Sequence, residues 1–264
     1  MMNYVLVTGA AGGMGRATVK ALAECGYTVF ALDKTSGAAE KNVIPLQADV
    51  TSEESVAHAA EAVRRYTDRL FAILHFAGIY MLDSLVEMSG DDFEKILRIN
   101  LFGAFYVNRT FRPWLASGSR IVMTTSELAP LSPLPFTGIY AVSKGALDKY
   151  AYALAMELQL LGISVSVLRA GAVRTDMLGA STDALDRFCD KTGLYTCNAA
   201  RFRKIVDRVE ARSVPPEQVA RKMLGILRKR RPAFAYALNR NPLLRLLNIL
   251  PARLQLFLIR RILR

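Results

Sequence analysis

The chain is poor in the residues from which metal centres and disulfide frameworks are built. Its three cysteines, Cys25, Cys189 and Cys197, stand far apart and make neither a bridge framework nor a CxxC knuckle. Two histidines, His58 and His75, are too few for a histidine-rich site, and neither is placed as a triad base. No metal is therefore expected. No apolar run reaches the roughly 20 residues of a membrane span without an Arg or Pro. No leader-like stretch is apparent, since Met1 runs straight into a strand pattern and a glycine loop. These absences read as a reduced, intracellular, cytoplasmic protein. Acid is missing from one end only. Residues 1–211 hold 22 Lys/Arg against 22 Asp/Glu, whereas residues 212–264 hold 13 basic residues against one acid, Glu217. The whole net charge of +12 thus sits in the last fifth of the chain.

What is present is a globular composition, 52% apolar and 22% charged over 264 residues. Short β-branched runs alternate with longer helical patterns. Strands are expected at 3–7, 28–32, 43–46, 70–75, 120–124 and 163–168. Helices are expected at 13–25, with Ala17, Leu22 and Ala23 inward, and at 52–65, opened by Ser52. Residues 91–115 read as two helices or one long kinked one, and 140–161 as a long helix. This alternation argues for one α/β domain with a parallel sheet covered on both faces. Residues 176–212 form a long excursion with scattered large apolar residues: Met177, Leu178, Leu185, Phe188, Leu194, Tyr195 and Phe202. Inserts of that length are usually functional. A helix at 217–229 precedes the basic tail.

The first strand ends in Thr8-Gly9-Ala10-Ala11-Gly12-Gly13-Met14-Gly15. A glycine-rich turn from strand to helix lets backbone approach a pyrophosphate, and the helix N-terminus adds partial positive charge. A tight turn without ligand is the alternative for the glycines alone. The second strand, however, ends in Asp33, about 20 residues beyond the loop. A carboxylate there accepts ribose hydroxyls and repels a 2′-phosphate. Only Lys34 would favour the phosphate, so NAD is expected rather than NADP.

Tyr140 and Lys144 stand four apart on a helix and share a face. An ammonium so placed can favour the phenolate of a tyrosine, whose ordinary pKa is about 10. Ser126 lies fourteen residues before Tyr140, at the end of the fifth strand. In a parallel sheet these carboxyl ends line one crevice.

With these motifs the chain resembles the short-chain dehydrogenase/reductase family over roughly residues 3–230. Gly9, Gly13 and Gly15, with Met14 among them, match its TGxxxGxG loop. Asp49-Val50 matches its adenine-contacting pair, and Ala77-Gly78 the end of its NNAG. Asn100 sits where the family has a catalytic asparagine; Ser126, Tyr140 and Lys144 match its serine, tyrosine and lysine. Gly171, Val173 and Thr175 match the PGxVxT segment at the nicotinamide. The resemblance implies a single-domain Rossmann fold, a doubly wound parallel sheet. It implies hydride transfer between NAD(H) and an alcohol or ketone. Tyr140 would act as the base, Ser126 would bind the carbonyl oxygen, and Asn100 would hold a water linking Lys144 to solvent. Three departures stand out. His75-Phe76 replaces the two asparagines, and His75 is read as a packed strand end. Ala170 replaces the proline before Gly171, which would loosen that loop. The Ser–Tyr interval is one residue longer than usual, leaving Glu127 at the shorter spacing; Glu127 is read as facing solvent, with contact to a substrate hydroxyl as the alternative.

Residues 241–250 and 252–264 read as two short helices joined at Pro251, a basic amphipathic tail beyond a 1–240 catalytic domain. In the second, Arg253, Arg260, Arg261 and Arg264 share a sector that Phe257 enters, opposite Leu254, Leu258, Ile259, Ile262 and Leu263. Such a helix suits an anionic lipid surface; docking on the domain or a partner subunit is the other reading. Leucine-rich and poor in aromatics, the tail is not expected to bind nucleic acid. The excursion at 176–212 follows the nicotinamide segment, where the family builds its substrate lid; its apolar residues either meet a greasy substrate or pack the lid onto the sheet. A YxxxK enzyme followed by a basic, leucine-rich tail is similar to the hydroxysteroid and retinol dehydrogenase branch. That similarity implies a bulky hydrophobic substrate: steroid, bile acid, retinoid or lipid. The competing readings are a reductase of a smaller oxo compound, a sugar or acyl intermediate, and an NAD-binding sensor or scaffold without turnover. A homodimer or homotetramer through helices near 101–116 and 141–161 is expected from the resemblance.

Overall fold

The computed structural model describes residues 3–35, 37–210 and 212–264, without the side chains of 176–182 and 207–210. Seven parallel strands form one sheet in the order β3-β2-β1-β4-β5-β6-β7. They are β1 (Tyr4–Thr8), β2 (Thr28–Asp33), β3 (Val43–Gln47), β4 (Ala72–His75), β5 (Arg120–Ser126), β6 (Ser164–Ala170) and β7 (Ala235–Leu238). Six of these lie where the apolar runs put them. The seventh, half-buried along its whole length, carries too weak a pattern to be read in advance.

Alternation along the strands sends side chains to two cores. Leu6, Phe30, Ile73, Ile121 and Val165 point to one face, together with Val56 and Val63 of α2 (Glu53–Arg64), Val107 of α4 (Gly103–Thr110) and Leu147 of α5 (Gly138–Leu158). Val5, Val7, Val29, Leu74 and Val122 point to the other, against α1 (Gly13–Glu24) and α8 (Pro216–Leu227). In α1 Leu22 is fully buried, while Ala17 and Ala23 are only half-buried. The expected helical stretch at 91–115 is α3 (Gly90–Leu97), a π-helical turn at Arg98–Phe102, and α4. The strand order reverses between β1 and β4, so a crevice opens at their carboxyl ends, the usual ligand position in such sheets.

The excursion folds as α6 (Asp176–Lys191) and α7 (Thr196–Glu210), and the tail as α9 (Pro242–Ile249) and α10 (Ala252–Leu263). Met177 and Leu178 lie outside the described side chains. Leu185, Phe188 and Phe202 do not pack on the sheet. They form a third core with Leu82, Phe136 and, from the tail, Ile259 and Leu263. Phe136 is its hub, with ring centroids 4.5, 5.2 and 5.4 Å from Phe188, Tyr195 and Phe202. Leu194 remains exposed. The lid is tied to the loop after β4, where Glu87 accepts hydrogen bonds from Thr192 and from the amides of Gly193 and Leu194.

The tail does not hang free. Leu258, Ile259 and Leu263 of its apolar arc are turned inward, as the docking reading has it, while Leu254 and Ile262 of the same arc stay exposed. Asn198 donates to the carbonyl of Leu263 at 2.7 Å, and the Asn248 side chain accepts from the Ser132 amide at 2.6 Å. The Asn241 amide donates to Glu127 at 2.6 Å. Glu127, expected at the surface, is buried; burial pushes its carboxyl above the ordinary carboxylate range, opposed by the Asn241 amide and Arg240.

Candidate active site

Two cavities of about 760 and 780 Å³ open at the carboxyl ends of the strands. They share Met14, Phe76 and Thr175 as walls, so one site runs through both.

The first cavity is built on the glycine loop. Gly9 holds φ +67°, and a Cβ there would meet the Ala77 amide nitrogen at 2.4 Å. At Gly15 a Cβ would meet the Gly9 carbonyl oxygen at 2.0 Å. A side chain at either place would push the loop from β4 or split helix from turn. The N-terminus of α1 has no side-chain cap and no acid in its first turn. By contrast, α2 and α3 are capped by Ser52 and Ser89. Its first-turn amides are thus free to meet an anion. Asp33 accepts from the amides of Ala11 and Thr35 at 3.0 and 3.1 Å, which fixes its carboxylate at the cavity wall. Lys34 does not face outward alone; its Nζ lies 3.3 Å from Asp49. The Thr51 hydroxyl and amide, with Lys34, hold the Asp49 carboxyl below its ordinary range. Gly13, Val50, Ala77 and Gly78 line the same cavity. The donor set therefore fits a dinucleotide: a bare helix N-terminus for the pyrophosphate and an acid for the ribose.

The second cavity is mostly apolar. Tyr140, Ser126, Lys144 and Val173 stand at its inner end, and Leu244, Leu247, Leu258 and Ile259 of the tail at its outer side. Tyr140 stands beside Ser126, and its ring lies tilted by 56° to that of Tyr80, with centroids 4.8 Å apart. Burial, with Tyr80 beside it, raises the Tyr140 phenol well above its ordinary value; the Ser126 bond opposes this. Lys144 Nζ lies 6.0 Å from the tyrosine ring and donates to the Thr124 carbonyl at 3.2 Å. Burial brings the Lys144 ammonium down to about 8. In the protein alone, burial therefore opposes ionisation of Tyr140. The buried Thr124 hydroxyl, also in this wall, has no hydrogen-bond partner among the described residues.

Asn100 lines neither cavity. It sits in the π-helical turn, a local widening often found at functional sites. Its side chain accepts from the Ile79 amide at 2.8 Å and donates to the Ile79 carbonyl and the Ser143 hydroxyl, both at 3.0 Å. It pins the loop after β4 to α5, just behind Lys144. His75 is a packed strand end. It is buried, 2.9 Å from the Asn108 side chain, and brought down to about 4 by burial. The loop after Ala170 is held from the far side. Gly171 donates to the Leu238 carbonyl, and Asn239 to the carbonyls of Ala172 and Arg212. The loosening expected from the missing proline is thus countered by β7, an element the sequence did not reveal. Docking of the tail on the domain is one of the two readings the sequence offers, but the place where it docks, and the Glu127–Asn241 contact, carry no local signal.

The short chain dehydrogenase family matches residues 3–186 of the chain. The chain belongs to this family, and it is an NAD(P)-dependent oxidoreductase. Among its relatives, versicolorin reductase 1 of Aspergillus parasiticus is 32% identical over 186 residues, 66% of this chain and 71% of that protein. Estradiol 17-beta-dehydrogenase 2 of Mus musculus is 32% identical over 197 residues, 69% of this chain but only 51% of that longer protein. The fold matches a short chain dehydrogenase family protein from Francisella tularensis with a TM-score of 0.75 at 21% identity, covering 90% of this chain and 97% of that one.

Proposed function

We propose that the chain is an NAD-linked dehydrogenase or reductase of a bulky hydrophobic secondary alcohol or ketone, of steroid, bile acid, retinoid or lipid type. The observation that carries this reading is the largely apolar cavity of about 780 Å³ with the Tyr140 and Ser126 hydroxyls at its inner end. That size suits a drug-sized apolar ligand oriented by a few polar groups. The names of two relatives, a versicolorin reductase and an estradiol dehydrogenase, point the same way.

When bound, the nicotinamide supplies a hydride acceptor or donor and, in its oxidised form, a positive charge. The first turn of α1 would hold the pyrophosphate, Asp33 the ribose hydroxyls, and Asp49 with Val50 the adenine side. The Lys34–Asp49 pairing supports NAD over NADP, because it draws the cation next to Asp33 in sequence toward another carboxylate. Val173 and Thr175 would lie at the nicotinamide. Tyr140 would take the substrate hydroxyl proton or return it. Its buried phenol needs a neighbouring positive charge to ionise, which Lys144 and the oxidised cofactor supply together. Ser126 would donate to the developing carbonyl oxygen. Asn100 would keep Ile79, Ser143 and Lys144 in register and hold a water for proton relay. A homodimer or homotetramer is supported by the exposed Phe102 and Phe105 at α4 and Tyr152 and Met156 on α5.

The test is a panel of steroids, bile acids, retinol and small alcohols with NAD+ or NADP+, followed by cofactor absorbance. Turnover of a bulky apolar alcohol with NAD+ is expected. Tyr140→Phe should lose on the order of a thousandfold in turnover and keep NADH binding. Near-normal turnover in that variant would defeat the assignment, and a preference for small polar alcohols would defeat the substrate class.

A further inference from the structure

The two tail helices turn their apolar arcs onto the cavity, yet their outward faces are not polar. On α9, Leu246 and Ile249 stand three apart, 60% and 79% exposed; on α10, Leu256 and Phe257 are 71% and 61% exposed. Arg245 of α9, Arg253, Arg260 and Arg261 of α10 and Arg264 just after it are exposed beside them. Spacings of three and four place Arg253, Phe257, Arg260, Arg261 and Arg264 on one face of α10. None of these arginines makes an ion pair or side-chain hydrogen bond among the described residues. No acid follows Glu217 in the chain. The tail is therefore a docked element, with exposed leucine, isoleucine and phenylalanine set among uncompensated guanidinium groups.

We infer that this outward face binds the surface of an anionic lipid bilayer, with the tail wall of the apolar cavity held against it. The charge fits a negative surface, and the large aliphatic and aromatic side chains fit the headgroup boundary. Nucleic acid would satisfy the arginines and leave the leucines and isoleucine without a partner. The helices, of eight and twelve residues, are too short to span a membrane, and no described helix is long and apolar enough to do so. They lie along the surface instead. Leu244, Leu247 and Leu258 line the cavity from the same two helices, so one thin wall separates the substrate space from the lipid. A water-insoluble substrate dissolved in that lipid would have only the two tail helices between it and the cavity. The inference does not depend on which substrate is turned over, because binding is read without catalysis.

The full chain is spun with sucrose-loaded vesicles of phosphatidylcholine alone or mixed with phosphatidylglycerol. The expected result is sedimentation with the mixed vesicles only, released by salt. The triple variant R253Q/R260Q/R261Q should bind on the order of a hundredfold more weakly. The double variant L256S/F257S changes exposed side chains only, so it should fold, as circular dichroism would show, and still lose at least tenfold in binding. Failure of the unaltered chain to bind the mixed vesicles would overturn the inference. So would unchanged binding by both variants, or light scattering showing that L256S/F257S dissolves a dimer closed by this face.

Discussion

Replacing Lys144 by methionine should make the protein more stable and less active, with a characteristic pH dependence. The Lys144 side chain is buried, and burial brings its ammonium from 10.5 down to about 8. That difference corresponds to roughly 3 kcal/mol against the folded, charged form at neutral pH. Methionine is nearly the same length and carries no charge, so the penalty disappears. It also abandons the hydrogen bond to the Thr124 carbonyl, a loss of about 1 kcal/mol. The net gain is about 2 kcal/mol, or roughly 5 °C in Tm for a chain of this size. The sign follows from linkage. Below pH 8 the lysine is charged in both states, and the full penalty applies to the parent protein. Between about 8 and 10.5 the unfolded chain binds more protons than the folded one, so the parent gains stability as pH rises. Above 10.5 the penalty is gone. Urea unfolding of both proteins, without added cofactor, should therefore show Lys144→Met ahead at pH 7, with the gap closing by pH 10.5. Turnover should fall on the order of a hundredfold or more. A variant less stable than the parent at pH 7, or a gap independent of pH, would refute the reasoning.

Two further outcomes follow from the same geometry. Asp148 accepts from Arg169 at 3.0 and 2.7 Å and from Thr125 at 3.2 Å, clamping α5 to β5 and β6; both ion-pair side chains are mostly buried. Asp148→Ala should cost about 3–5 kcal/mol in urea unfolding by stranding the guanidinium, and Arg169→Met added to it should recover much of the loss; a cost below about 1 kcal/mol would contradict that. Asp33→Ser removes the carboxylate at the ribose end, so the NADPH-to-NADH affinity ratio, measured by fluorescence titration, should rise at least about tenfold. An unchanged ratio would show that Asp33 does not select the cofactor.

Much of this protein was legible in the chain, because its signals are local. The glycine loop, the β-branched strands and the i,i+4 spacing of Tyr140 and Lys144 each state their geometry within a few residues. Periodicity then gives the alternation that only a parallel sheet satisfies. That Ser126 and Asp33 would reach one crevice could be anticipated because strand ends in such a sheet converge. Other features had no local signal. β7 is half-buried on an edge and lacks the pattern of a buried strand. Glu127 looks like any acid on a loop until the Asn241 amide arrives from 114 residues away. The lid residues Leu185, Phe188 and Phe202 could equally pack on the sheet or face a ligand; the position of Phe136 made them a separate core, which meets the cavity at Phe202. The sequence by itself determined the fold, the family and the identity of the chemical groups, since each depends on short-range spacing and on side-chain chemistry. Only the tertiary structure decided that the basic tail roofs the substrate cavity with its apolar arc and turns its arginines outward. An amphipathic helix states that it has two faces, and what each face meets is fixed by the surface on which it packs.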